Sequence, residues 1–112
     1  MLQGRVKALT GSLTETRFGL DPLQWETLSQ EIDVILHAAA TVNLLYPYHR
    51  VKATMVDGTH TLLKLATTHH LKPITMISSD AVYAKQAIYN SQDFLGTDSL
   101  KDLTSGYAQA KW

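Results

Sequence analysis

The sequence contains no cysteine, which excludes disulfides and thiolate metal sites and leaves the redox compartment open. It carries no excess charge, since Lys+Arg and Asp+Glu both number 10. Nucleic acids and anionic membrane surfaces are recognised by clustered positive charge, so neither is expected as a partner. No apolar run approaches the length needed to cross a bilayer. The start, Met1-Leu2-Gln3-Gly4-Arg5, lacks the apolar core of a signal peptide, and a cytoplasmic location is expected. Glycine is sparse, with 6 residues, and nowhere forms the closely spaced triplet of a dinucleotide-binding turn. Repeats and low-complexity stretches are also missing.

What remains is an ordinary globular composition, 45% hydrophobic and 18% charged, in a chain of 112 residues that holds at most one small domain. The elements alternate strand, helix, strand, helix, strand, the pattern of a parallel sheet with crossover helices. Val6 to Leu9 reads as a short strand ended by Thr10-Gly11-Ser12. Asp21-Pro22 offers an N-cap and a proline at the first helical position, and Trp25, Leu28 and Ile32 follow at helical spacing to about Glu31. Asp33 to Ala38 holds the apolar run Val34-Ile35-Leu36 of a strand buried on both faces. A loop through Tyr46-Pro47-Tyr48 precedes a helix whose face is Met55, Thr59, Leu62, Leu63 and Ala66. Ile74 to Ser78 is the third strand, Asp80 to Leu103 is mostly loop, and Gly106 to Trp112 begins a helix. Lys111-Trp112 has no cap or polar tail after it, so the chain is expected to be cut from a longer one.

Three features stand in order at the boundaries of these elements: a strand ending in His37-Ala38-Ala39-Ala40, a strand ending in Ser78-Ser79, and Tyr107 with Lys111. The i, i+4 spacing puts the tyrosine and the lysine on one helix face. A phenol ionises near pH ~10, too high to cycle at neutral pH unaided. A neighbouring ammonium favours the phenolate, so the pair makes a usable proton donor. A serine hydroxyl at the C-terminal edge of a strand can hold the oxygen that takes the proton, at the edge where open α/β sheets bind ligands. Taken singly, each feature has a plain structural reading: a chance pair, a turn serine, tight alanine packing.

In combination they resemble the extended short-chain dehydrogenase/reductases. Asp33-Val34-Ile35-Leu36-His37-Ala38-Ala39-Ala40 is similar to that family's fourth-strand signature ending in His-x-Ala-Ala. Gly58-Thr59, Ile77-Ser78-Ser79-Asp80-Ala81-Val82-Tyr83 and Tyr107-x-x-x-Lys111 also fit. Val42-Asn43 with Tyr46-Pro47-Tyr48, and Gly106-Tyr107 with Lys111-Trp112, resemble segments of the thioester reductase domains that end nonribosomal peptide synthetases, polyketide synthases and carboxylic acid reductases. Fatty acyl-CoA reductases are related to them.

The resemblance implies an α/β fold, part of a Rossmann-like doubly wound parallel sheet comprising the third to fifth strands with crossover helices. Residues 1–112 would be an internal fragment of an NAD(P)-binding reductase domain, without its glycine-rich turn and its C-terminal substrate region. The implied activity is NADPH-dependent reduction of an acyl thioester on a phosphopantetheinyl carrier domain, giving an aldehyde or alcohol; NADH is the other candidate cofactor. Tyr107 would donate the proton, Ser79 would bind the oxyanion, and Lys111 would support the tyrosine and contact the nicotinamide ribose. Ser12, Leu13, Ala38, Ala39, Ala40, Asn43, Tyr107 and Lys111 would line the cofactor. No metal is implied.

Two positions depart from the pattern. Gly11-Ser12-Leu13 stands where the family usually has Gly-Asp-Leu, and Met55 where it often has Asn. With strands one and two absent, the 112 residues alone are not expected to form the native sheet. A sugar-nucleotide epimerase or dehydratase shares the Ser, Tyr and Lys, and a non-catalytic binding module descended from such an enzyme is the reading from another class. Of the other residues, Trp25 and His37 read as structural, and His69-His70 as an interaction with a helix C-terminus.

Overall fold

The computed structural model describes residues 4–83 and 103–112. Most of the expected loop from Asp80 to Leu103 lies outside the described residues.

Helix α1, Pro22–Glu31, begins where the sequence places it. Asp21 Oδ1 accepts from the Gln24 amide at 2.8 Å, and Gln24 Oε1 accepts from the Asp21 amide at 3.1 Å. This reciprocal capping satisfies two of the orphan donors at the helix start. The inner face of α1 carries Trp25 and Leu28, with Ile32 just beyond its end, against a core of Ile35, Leu62, Leu65 and Ala66. Phe18 tilts against Trp25 with ring centroids 5.9 Å apart, an arrangement that favours the aromatic quadrupoles.

Strands β1, Ile35–His37, and β2, Ile74–Met76, pair in parallel with Ile35 opposite Ile74 and His37 opposite Met76. The ladder is extended by Ile35 N–H to Pro73 O at 2.9 Å and Ile77 N–H to His37 O at 3.0 Å. Parallel strands need a helical crossover, and here it is one long helical stretch: α2, Tyr48–Lys52, a π-helical turn, Ala53–Asp57, and α3, Gly58–Thr67. The helix therefore starts at Tyr48, inside the segment expected to be loop. Pro47 at its N-cap supplies a φ of −68° and lacks the amide that would otherwise need a partner.

The strand expected at Val6 to Leu9 is not formed; those residues are exposed and irregular. A strand exists only through its neighbour's hydrogen bonds, and the sheet of the described residues contains β1 and β2 alone. In the Rossmann order this first strand would pair with strands absent from the sequence. Ala38 and the apolar side chains of Val34 and Leu36 are exposed for a related reason: one face of β1 is covered by α1 and α3, and its other face has no covering element among the described residues.

The end of α3 is held by Lys72 rather than by the two histidines. Lys72 is 5% exposed, and its Nζ donates to Thr68 O at 2.7 Å and His70 O at 3.1 Å. A cation on the last carbonyls opposes their partial negative charge. His69 turns outward to Glu26 Oε1 at 2.8 Å, and His70 Nε2 meets Ile32 O at 3.0 Å.

Helix α4, Gly106–Lys111, is capped by Ser105 Oγ, which accepts from the Ala108 amide at 3.1 Å. It packs against α2 and against the short 3-10 turn Asp80–Val82 that follows β2. Val51, Met55 and Ala110 form the second core cluster, with Ala40 and Tyr107 packed on it.

Candidate active site

The C-terminal ends of β1 and β2 lie side by side because the strands are parallel and in register. The residues after each strand are therefore brought to one edge: His37 to Ala40 from β1, and Ile77 to Ser79 from β2. Helix α4 is laid over that edge. Lys111 Nζ donates to Ile77 O at 2.7 Å, which fixes the end of α4 to the end of β2. Ser79, two residues further, N-caps the Asp80–Val82 turn, its Oγ accepting from the Ala81 amide at 3.2 Å. Its own proton points to Asp80 Oδ1 at 3.4 Å, longer than a firm O–H···O bond, so the hydroxyl remains able to donate elsewhere. Tyr107, half-buried, lies on the Val51–Met55–Ala110 cluster one helical turn before Lys111. The sequence-expected trio is thus carried by two segments that meet at a single sheet edge.

His37 closes β1 and is 5% exposed. Its Nε2 lies 3.4 Å from Thr59 Oγ1, and that hydroxyl donates to Met55 O at 2.6 Å. The threonine proton is committed to Met55 O, so toward His37 the hydroxyl can only accept, and a bond across this long contact needs the imidazole tautomer with its hydrogen on Nε2. Burial, and after it the charge of Lys111, holds the His37 pKa below its ordinary 6.5. The bond from Thr59 ends inside the π-helical turn, the kind of local widening that is often found at functional sites. Met55 is 5% exposed and packs between Val51 and Ala110. It is a core residue beneath Tyr107, so what it lacks in hydrogen bonding it replaces by packing.

The residues expected to line a cofactor divide into two groups. Ala38 and Ala39 are exposed at the end of β1, where their methyl groups leave the sheet edge open, and Ala40 packs under the site. Ser12 and Leu13 lie in the loop before α1. Ser12 Oγ is 2.9 Å from Thr14 Oγ1, and Leu13 presses on Gly58, where a Cβ would come within 3.1 Å of it. Asn43 Oδ1 accepts from the amides of Leu45 at 3.0 Å and Tyr46 at 3.2 Å.

A cavity of about 600 Å³ opens between the long helix, β2 and the end of α4. Met55, Thr59, Leu63, Met76, Lys111 and Trp112 are on its wall, whereas Ser79 and Tyr107 are not. Of the expected trio of serine, tyrosine and lysine, Lys111 alone lines it. Among the described residues, no group of three or more His, Asp or Glu gathers as a metal site. Nor is any described helix long and apolar enough to cross a membrane.

The role of Gly106 was not anticipated from sequence. A Cβ there would collide with Tyr48 N and stand 2.5 Å from Pro47 C and Tyr46 O. The signal was present as a glycine directly before the tyrosine, but its reason is a contact between distant segments.

A parallel β–α–β unit with serine, tyrosine and lysine at the C-terminal strand edge is part of a Rossmann-like α/β fold. The chain belongs to the NAD-binding family described as Male sterility protein, whose model matches residues 1–112. It is 38% identical over 112 residues to glycine betaine reductase ATRR of Emericella nidulans, covering 96% of this chain and 9% of that protein. It is 32% identical over 114 residues to a carboxylic acid reductase of Segniliparus rugosus, covering 96% of this chain and 10% of that protein. Its fold matches the terminal R domain from the myxalamid PKS-NRPS biosynthetic pathway with a TM-score of 0.90 and 35% identity, over 99% of this chain and 28% of that one. The chain therefore spans about a tenth of the length of these two curated relatives and roughly a quarter of the R domain.

Proposed function

We propose that these residues are an internal segment of an NADPH-dependent reductase domain that acts on an acyl thioester held by a phosphopantetheinyl carrier domain, releasing an aldehyde or alcohol. The observation that carries the reading is the 2.7 Å bond from Lys111 Nζ to Ile77 O. It places the helix of Tyr107 and Lys111 over the strand end that leads into Ser79. The named activities of the relatives, reductases of carboxylic acids and the R domain of a PKS-NRPS pathway, support the same chemistry.

The exposed alanines after β1 and the lysine at the sheet edge suit a dinucleotide, which needs close backbone approach and hydroxyl-binding donors. When bound, the nicotinamide supplies a hydride to the carbonyl carbon. Ser79 donates its hydroxyl hydrogen to the carbonyl oxygen as charge grows there. Tyr107 gives its phenolic proton to that oxygen. Lys111 has three N–H donors and spends one on Ile77 O, leaving two for ribose hydroxyls and the tyrosine oxygen. Ala38, Ala39 and Ala40 would form the wall behind the cofactor, with Ser12 and Leu13 toward its adenine end. The resulting hemithioacetal breaks its C–S bond, releasing the carrier thiol and the aldehyde.

The test uses the natural polypeptide that carries these residues, an acylated carrier protein and NADPH. Loss of nicotinamide absorbance with an aldehyde trapped as its oxime is expected. Consumption or conversion with a sugar nucleotide and not with the thioester would overturn the substrate class, and inertness toward both would leave a non-catalytic module.

A further inference from the structure

The segment Asn43 to Tyr48 lies at the sheet edge but contributes none of the three catalytic side chains. Its ring groups are partly exposed, which would suit the rim of a substrate entrance. Its backbone does something else. Gly106, buried at the start of α4, rests against Tyr46 O, Pro47 C and Tyr48 N so closely that no side chain fits between them. The first turn of α4 is therefore docked backbone to backbone on this turn.

The turn is itself fixed from within. Asn43 Oδ1 takes the amides of Leu45 and Tyr46, which sets the direction of the chain into Tyr46. Pro47 restricts φ, and the Arg50 amide donates to Pro47 O at 3.0 Å, so the turn runs straight into α2. The Arg50 guanidinium lies 5.8 Å from the Tyr46 ring centroid, within cation–π range. Helix α4 is six residues long, about 9 Å at the usual rise. It is gripped at both ends, at Gly106 by the turn and at Lys111 by Ile77 O.

We propose that Gly106 and Asn43 are positioning residues for the tyrosine–lysine pair: Asn43 shapes the Tyr46–Tyr48 turn, and that turn, through its contact with Gly106, sets where Tyr107 stands at the sheet edge. This rests on the reductase reading for the role of Tyr107. A methyl group at Gly106 forces the two backbones apart. Tyr107 is the next residue, so it moves with them, while Lys111 stays tethered at the other end. A misplacement on the order of 1 Å at a reacting group costs about 10²-fold in rate. The expected cofactor contacts away from α4, at Ser12, Leu13 and Ala38 to Ala40, are left in place, so the loss falls on kcat more than on KM. Asn43→Asp keeps both acceptor bonds and Asn43→Leu keeps neither, while both lose the amide donor equally.

The experiment measures kcat, the thioester KM and NADPH binding for the natural polypeptide and for Gly106→Ala, Asn43→Asp and Asn43→Leu, with the assigned ring resonances of Tyr107 followed by NMR. The expected result is a fall in kcat of about 10²-fold for Gly106→Ala with KM changed only a few-fold. Displaced Tyr107 resonances with those of Trp25 unmoved should accompany it. Asn43→Asp is expected to retain roughly tenfold more kcat than Asn43→Leu. Unchanged kcat and Tyr107 resonances in Gly106→Ala would overturn the proposal. If Gly106→Ala fails to fold, equal losses in the two Asn43 variants overturn it and unequal losses support it. If the unsubstituted protein reduces no thioester, the functional reading falls, and the Tyr107 resonances alone decide the positioning claim.

Discussion

His37 offers a measurement that joins the core to the active-site edge. It is buried at the end of β1, its Nε2 3.4 Å from Thr59 Oγ1, with the ammonium of Lys111 acting on it from α4. Burial and that positive charge both disfavour the imidazolium, burial more strongly, so the folded-state pKa lies below 6.5. The sign for stability depends on which state binds the proton first. As pH falls through the ordinary value, the unfolded chain protonates while the folded one does not. Stability contributed by the neutral form is therefore full above the unfolded pKa and is lost as pH falls toward the folded pKa. For one group the slope is at most about 1.4 kcal/mol per pH unit, and it flattens once the folded state also takes the proton. NMR titration of the assigned His37 imidazole in the natural polypeptide should give a midpoint below 6.5. Lys111→Met should raise that midpoint part of the way, because the charge goes and the burial stays. A midpoint at or above the ordinary value, or a downward move in Lys111→Met, would refute the reasoning.

Two further perturbations have calculable costs. Val51 is fully buried beneath α4; Val51→Ala removes two methyl groups at about 0.8 kcal/mol each and leaves a cavity, so a loss of roughly 2–3 kcal/mol is expected in urea denaturation, and a loss under about 0.5 kcal/mol would contradict the packing. Thr59→Val keeps the shape but removes the hydroxyl shared by Met55 O and His37. It should cost about 1 kcal/mol through loss of the hydroxyl's hydrogen bonds and should move the His37 resonances, whereas silent resonances would exclude the contact.

The pieces of the fold that were legible in sequence are those specified locally. Asp21, Pro22 and Gln24 determine the start of α1 through their own side chains, and the apolar run around Ile35 marks β1 whatever lies beside it. Tyr107 and Lys111 share a face because of helix geometry alone. Sequence and structure differ where the answer depends on partners far along the chain. Val6 to Leu9 has strand chemistry but no strand to pair with in the described sheet. The helix start at Tyr48, with the π-helical turn that follows it, sits where α4 docks on α2. The capping of α3 fell to Lys72, whose chain reaches back over Thr68, and not to the histidines beside it. The three catalytic candidates were named from their order, yet the bond that seats them, from Lys111 to Ile77 O, joins residues 34 apart and leaves no local trace.

The proposed role of Tyr107 is to serve hydride reduction of a thioester carbonyl at this edge. The most direct test supplies the natural polypeptide and its Tyr107→Phe variant with an acylated carrier and NADPH deuterated at the transferring position, and reads the aldehyde by mass spectrometry. The unsubstituted protein should give aldehyde carrying one deuterium on its carbonyl carbon. Tyr107→Phe should form it about 10²–10⁴-fold more slowly, the usual worth of a positioned acid. Aldehyde without deuterium, or a Tyr107→Phe variant as fast as the parent, would contradict the account.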